Sequence, residues 1–217
     1  MRGDVLLVEV QHRQVASTIA AALNEAVRNS TGRYVVTVAG ESGSGKSETA
    51  LALAQCFVDR GVGAIVLGQD DYFALPPRSN DARRRADPEW LGPHVEVRLD
   101  VLQANVDAVR AGAEEIEKPV VDYDADTVST EVRSLAGVKV VIVEGTYVSL
   151  LRHVDCRVFI ARSRLETLEH RRKRNRGKEV HDPFVEGLLA FEHKIIAGHR
   201  QLADFVVNRD SSVVRVP

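Results

Sequence analysis

The chain has 217 residues, 44% hydrophobic and 28% charged, which is typical of one large globular domain with a substantial core. A formal net charge of −2 gives no overall reason to expect nucleic acid or a membrane as a partner. The two cysteines, Cys56 and Cys156, form no CxxC pair, and no apolar run approaches the ~20 residues of a membrane helix. The composition therefore favours a cytoplasmic protein without a signal peptide or disulfide framework.

Residues 1–34 are predicted to form a leader that packs beside a sheet. A short apolar stretch at 5–8 precedes a helical pattern through Ile19, Leu23 and Val27, and the polar run 28–32 ends it. No chemistry is assigned to this leader. The functional domain is predicted to be 35–217.

A β-branched strand, a glycine-rich loop and a helix follow one another within residues 35–53. The loop reads GESGSGKS and matches the GxxxxGK[ST] pattern in the structural context that this pattern requires. Glycines let backbone N–H groups approach phosphate oxygens, and the helix adds the positive end of its dipole. A nucleoside triphosphate site is therefore predicted at Gly40, Ser42, Gly43, Ser44, Gly45, Lys46, Ser47 and Glu48.

Two residues of this loop have more specific expected roles. Lys46 is expected to reach the β- and γ-phosphates and to act in catalysis, and the Ser47 hydroxyl is expected to hold Mg²⁺.

The rest of the chain alternates strands with helices. Further strands are predicted at 64–67, 138–143, 157–160 and 205–207, and the tail at 213–216 is a candidate edge strand. Helices are predicted at 99–109 and 184–199, whereas 76–85 is expected to be a polar loop. This alternation predicts an α/β fold with a mainly parallel, five-stranded sheet.

Acidic residues follow two of the predicted strands, at the sheet edge where ligands collect. Asp70 and Asp71 follow the second strand, and either is expected to orient and deprotonate an acceptor hydroxyl, the alternative being that they cap the next helix. Glu144 follows the third strand and is expected to support Mg²⁺, directly or through water, with Ser47 and Asp70. The alternative for Glu144 is a solvated loop carboxylate.

Residues 170–178 form the densest run of positive charge. At helical spacing Arg171, Arg174 and Lys178 share one face, which suits a lid over the triphosphate with an arginine that stabilises the transferred phosphoryl group. A solvated basic face or a nucleic-acid patch remains the alternative. No neighbouring motif supports a phosphate-binding role for the arginine cluster at 83–85, and this cluster is expected to be exposed.

Several polar and aromatic residues are candidates for contact with the acceptor. Alternate aspartates of an extended segment at 122–126 could bond substrate hydroxyls, and aromatic side chains could stack on a substrate ring or simply pack. The predicted substrate contacts are Asp71, Tyr72, Trp90, Asp122 and Tyr123.

The order of these motifs resembles the phosphoribulokinase/uridine kinase family. The resemblance rests on GESGSGKS, QDDYF, KPVVDYD, VIVEGTY and RRKRNRGKE. It implies a three-layer P-loop kinase fold with a helical lid at about 171–185, and transfer of the γ-phosphate of ATP, with Mg²⁺, to a hydroxyl of a small metabolite. Asp70 then matches the catalytic base, Lys46, Ser47 and Glu144 match the phosphate and magnesium residues, and the lid residues are Arg171, Arg174 and Arg176.

Two positions depart from the pattern that reads a pyrimidine in this family. Val121 stands where the uridine kinases carry a tyrosine, and Asp126 stands where they carry a histidine. A uridine kinase-like enzyme is the expectation, and a kinase for a sugar or a vitamin precursor is an alternative. A regulatory ATPase or nucleotide-binding switch is a further alternative. No nucleic-acid or membrane partner is expected, and a homo-oligomer is compatible with the sequence.

Overall fold

The computed structural model of the chain describes residues 6–162 and 182–216. The α-helices in these ranges are α1 (Val10–Asn29), α2 (Lys46–Val58), α3 (Pro77–Ala86), α4 (Leu99–Arg110) and α5 (Pro183–Ile196). The strands are β1 (Tyr34–Gly40), β2 (Ala64–Gly68), β3 (Glu115–Asp122), β4 (Thr127–Ser134), β5 (Val140–Gly145), β6 (Cys156–Ile160), β7 (Phe205–Val207) and β8 (Val213–Arg215).

The main sheet is parallel except at one edge. Its strand order is β2-β5-β1-β6-β7-β8, and only β8 runs antiparallel to its neighbour. The predicted α/β class is confirmed. The predicted count of five strands is wrong by one, because the candidate edge strand of the tail is formed and Val213–Arg215 pairs with β7.

Helices cover both faces of the sheet. Strand β1 is buried along its whole length, as its continuous apolar sequence dictates, and it sends alternate side chains to opposite faces. Val36 and Val38 pack with α1 and α2, whereas Val35 packs with α4 on the other face. Because α1 packs with α2 in one core, the predicted leader contributes to the layer that supports the glycine loop.

The segment predicted as a polar loop at 76–85 is the helix α3, so that prediction is wrong. Its first turn holds Pro77, whose fixed φ suits a helix start. The helix has one buried residue, Asn80, so no apolar stripe marks it in the sequence.

The extended segment near 119–127 belongs to an antiparallel β3–β4 hairpin that stands apart from the main sheet. The hairpin turn at 123–126 and the N-terminal end of α3 meet, because the Arg78 N–H donates to the Asp126 carboxylate at 2.7 Å. None of the helices in the described ranges is long and apolar enough to cross a membrane.

Candidate active site

The glycine loop between β1 and α2 has the backbone that its sequence predicts. Gly43 and Gly45 lie in the left-handed region, with φ of 78° and 92°, where side chains are disfavoured. A β-carbon at Gly45 would lie 2.9 Å from His12 Nε2, so α1 closes the loop from behind. Lys46 Nζ donates to the Glu41 carbonyl at 3.0 Å. This hydrogen bond holds the ammonium group beside the glycine loop, where Lys46 is predicted to contact phosphate.

Ser47 and Glu144 come together next to this loop. The Ser47 hydroxyl, in the first turn of α2, donates to Glu144 Oε2 at the end of β5, at 3.1 Å. Burial, and then the nearby Asp70 carboxylate, raise the pKa of Glu144 to about 7, while Lys46 acts in the opposite direction. A cation would stabilise the charged form of a buried carboxylate that has a second carboxylate nearby.

The predicted magnesium ligands fit a cation that shares its coordination with phosphate. Among residues 6–162 and 182–216, no group of three or more His, Cys, Asp or Glu side chains could hold a metal ion. Mg²⁺ in phosphotransferases typically takes one or two protein oxygens together with phosphates and water. Ser47, Glu144 and Asp70 offer that kind of donor set, and Glu48, buried in the first turn of α2, adds negative charge behind it.

The turn after β2 separates Asp70 from Asp71, two aspartates that the family resemblance, but not their position after the strand, distinguishes. It is a short 3-10 helix, Gln69–Tyr72, and the Gln69 side chain accepts the Tyr147 N–H at 2.7 Å. Asp71 points into the protein, where Lys118 Nζ lies at 2.8 Å and the Val121 N–H at 3.1 Å. Asp70 is the carboxylate of this turn that lines the cavity described next.

A cavity of about 570 Å³ lies between the glycine loop, the Asp70 turn, α3, the hairpin turn and α5. Ser42 and Gly43 of the glycine loop line one end of the cavity, and Asp70 lies on its wall. The remaining lining residues are mostly polar and charged: Gln69, Phe73, Pro77, Arg78, Asn80, Asp81, Arg84, Arg85, Glu96, Tyr123, Asp124, Thr146, Tyr147, Asp182, Val185, Leu188, Leu189 and Glu192.

One wall of the cavity is a buried polar cluster on and beside α3. Arg84 lies 2.6 Å from the Glu96 carboxylate, which also accepts from the Asn80 amide at 3.3 Å. Burial raises the pKa of Glu96, and the Arg84 charge opposes that shift. The expectation that 83–85 is simply exposed is wrong for Arg84, whose side chain is 21% exposed and faces the cavity.

Of the predicted substrate contacts, the cavity wall includes Tyr123 alone. Asp71 is buried in its ion pair with Lys118, and Tyr72 is fully buried with its hydroxyl bonded to Asn105. Trp90 donates its indole N–H to the Asn80 side chain at 2.8 Å, so it supports the polar cluster from behind. Asp122 accepts the Ala125 N–H at 2.8 Å and stabilises the hairpin turn. These four residues already have structural partners.

The predicted lid arginines, Arg171, Arg174 and Arg176, lie outside the described residues, as does most of the predicted lid. The second described range begins at Asp182, whose carboxylate caps α5 and pairs with Arg85 at 2.7 Å.

Helix α5 also contacts the glycine loop, which the sequence did not indicate. Glu192 accepts from both the N–H and the hydroxyl of Ser42, each at 2.8 Å, and His193 Nδ1 lies 2.7 Å from the Glu41 carboxylate. Burial raises the pKa of Glu192, and Lys46 opposes that shift. For α3, helical spacing could have indicated the face toward the cavity, because Pro77, Asn80 and Arg84 recur at intervals of three and four.

Comparison with known proteins found matches in sequence and in fold. A sequence model of the Phosphoribulokinase / Uridine kinase family matches residues 35–182. A bifunctional alpha-galactosidase/sucrose kinase of Mediterraneibacter gnavus is 30% identical over 196 residues, which cover 85% of this chain. The chain spans 21% of the length of that relative.

Solved structures share the fold at low sequence identity. A D-glycerate 3-kinase from Cryptococcus neoformans superposes with a TM-score of 0.64 at 14% identity, covering 96% of this chain and 100% of the other. A phosphoribulokinase from Rhodobacter spheroides superposes with a TM-score of 0.60 at 14% identity, covering 82% of this chain and 71% of the other.

Proposed function

Because the chain belongs to the phosphoribulokinase/uridine kinase family, we propose that it transfers the γ-phosphate of ATP to a hydroxyl of a carbohydrate-like metabolite. The observation that carries this proposal is that Ser42 and Gly43 of the glycine loop line the same cavity as Asp70. A bound triphosphate and an acceptor hydroxyl would therefore meet within one cavity, as in-line phosphoryl transfer requires.

The roles of the residues follow from their positions. The backbone of the glycine loop and Lys46 would bind the phosphates, with Lys46 turning from the Glu41 carbonyl to the nucleotide. Asp70 would accept a hydrogen bond from the acceptor hydroxyl and orient it toward the γ-phosphorus. It would take the hydroxyl proton as the new P–O bond forms and the bond from the γ-phosphorus to the bridging oxygen breaks, with ADP as the leaving group.

Ser47, Glu144 and Asp70 would hold Mg²⁺ directly or through water. The ion, when bound, would neutralise charge on the phosphate oxygens. The buried Glu144 carboxylate supports this assignment because its charged form needs a nearby cation.

A carbohydrate acceptor is favoured by what lines the cavity. Charged and amide side chains such as Arg84, Glu96 and Asn80 match the hydroxyl groups of a sugar, which both donate and accept hydrogen bonds. The names of two relatives, a sucrose kinase and a D-glycerate 3-kinase, support an acceptor of this kind.

Pyrimidine recognition has less support. Val121 is fully buried, and its N–H bonds to Asp71, while Asp126 accepts from Arg78 in the hairpin turn. Neither position presents a ring to the cavity. A nucleoside remains the second candidate, because the rings of Phe73 and Tyr123 line the same space and could stack on a base.

The test is a panel of acceptors, each at saturating MgATP, with release of ADP as the readout. Sucrose, D-fructose, D-glycerate and uridine cover the candidate classes. The proposal predicts that ADP release depends on a sugar or sugar acid and that mass spectrometry finds the phosphorylated product. Turnover with uridine alone would favour the nucleoside. A rate of ADP release that is the same with every acceptor and without one would favour a regulatory ATPase.

A further inference from the structure

Helix α5 holds the glycine loop by two adjacent side chains. Glu192 accepts two hydrogen bonds from Ser42, one from its backbone N–H and one from its hydroxyl, each at 2.8 Å. The neighbouring His193 lies 2.7 Å from the carboxylate of Glu41. Two consecutive residues of one helix therefore contact two consecutive residues of the loop.

The carboxylate of Glu192 has the chemistry of a phosphate in this position. It carries negative charge, it accepts two hydrogen bonds from the loop, and it interacts electrostatically with Lys46. Backbone N–H groups of a glycine loop bind phosphate oxygens with the same geometry and charge preference. The donors of Ser42 are thus satisfied by the protein itself.

Ser42 lies at the end of the loop where the terminal phosphate would be. Ser42 and Gly43 face the cavity that also contains Asp70, whereas Ser47 lies beside Glu144 at the start of α2. Transfer to a hydroxyl at Asp70 requires the γ-phosphate to lie on the cavity side. The α- and β-phosphates would lie farther along the loop.

We propose that Glu192 sets the preference of this loop between ATP and ADP, by using the Ser42 donors that the γ-phosphate would need. ATP binding then requires the Glu192 carboxylate to leave Ser42, whereas ADP binds without this exchange. The inference rests on the proposed function of the loop as a triphosphate site. It makes Glu192 a specificity-determining residue that works against triphosphate binding.

The test compares affinities for a nonhydrolysable imido analogue of ATP and for ADP, both with Mg²⁺, by isothermal titration calorimetry. Glu192→Gln removes the charge at constant size, and Glu192→Ala removes the contact altogether. The exposed Glu25 on α1 provides the control variant Glu25→Gln, which makes the same change in net charge. Thermal melting of each variant verifies folding.

Both Glu192 variants are expected to bind the ATP analogue about tenfold more tightly than the wild type, which corresponds to about 1.4 kcal/mol. Their affinity for ADP, and both affinities of Glu25→Gln, should stay within about twofold of the wild type. Unchanged or weaker binding of the analogue by both variants would overturn the inference. Failure of the wild type to bind either nucleotide would instead contradict the proposed function.

Discussion

The ammonium group of Lys118 lies 2.8 Å from the carboxylate of Asp71, and this ion pair joins the β3–β4 hairpin to the turn that carries Asp70. Both side chains are at least nine-tenths buried. The second oxygen of Asp71 accepts the Val121 N–H, so the contact fixes the hairpin backbone as well. This contact therefore joins the hairpin that carries Tyr123 to the turn that carries the candidate base Asp70.

The variant Lys118→Met should be strongly destabilised, because it leaves the buried Asp71 carboxylate without its ammonium partner. Removing one member of a buried pair typically costs about 3–5 kcal/mol. Chemical denaturation monitored by circular dichroism measures this loss. The double variant Asp71→Asn/Lys118→Met should recover much of it, since a neutral amide still accepts the Val121 N–H. A single variant as stable as the wild type would show that the pair contributes nothing to the fold.

Arg84→Met should weaken acceptor binding while leaving the nucleotide site intact. Arg84 lies in the cavity wall and pairs with the buried Glu96, so its loss removes a donor and leaves an unbalanced carboxylate. The KM for the acceptor should rise about tenfold or more, and the KM for ATP should change less than about twofold. Steady-state kinetics with each substrate varied in turn measures the two KM values separately.

The matched control is Arg83→Met on the same helix. Arg83 is 51% exposed and pairs with Asp87 at the surface, where such pairs contribute little. Equal effects of the two variants on the acceptor KM would argue against a specific role for Arg84.

Gly45→Ala should weaken nucleotide binding without unfolding the sheet. The left-handed backbone and the contact at 2.9 Å with His12 Nε2 both oppose a side chain at this position, so the loop would have to rearrange. Strain of about 1–2 kcal/mol and a displaced phosphate cradle should lower the affinity for ATP by about tenfold or more. Gly32→Ala is the control, because a β-carbon there meets nothing within 4 Å. Normal ATP affinity in Gly45→Ala would contradict the phosphate-cradle role.

Local motifs predicted the elements on the glycine-loop side of the cavity. The glycine loop follows from a strand–loop–helix pattern. Asp70 after β2 and Glu144 at the end of β5 follow from the rule that ligands lie at the carboxyl ends of strands. These elements depend on short stretches of sequence. Continuous apolar runs likewise predicted the parallel strands, because strands buried on both faces leave that signature.

The rest of the cavity wall depends on contacts between residues that are far apart in the sequence. Arg84 and Glu96 are twelve residues apart and face each other only after α3 has formed. Glu192 is 150 residues from Ser42, and the different roles of Asp70 and Asp71 depend on Lys118, which lies 47 residues beyond Asp71. The sequence predicted substrate contacts at Tyr72, Trp90 and Asp122, but whether such side chains face the interior or a ligand is set by tertiary packing.

The most direct test of the account is the variant Asp70→Asn, studied with the acceptor that gives turnover and with MgATP. Asn keeps the size of Asp70 but cannot take a proton, so kcat should fall by about 100-fold or more. The affinity for ATP, measured by calorimetry, should stay within about threefold of the wild type. A kcat close to that of the wild type would contradict the assignment of Asp70 as the base that activates the acceptor.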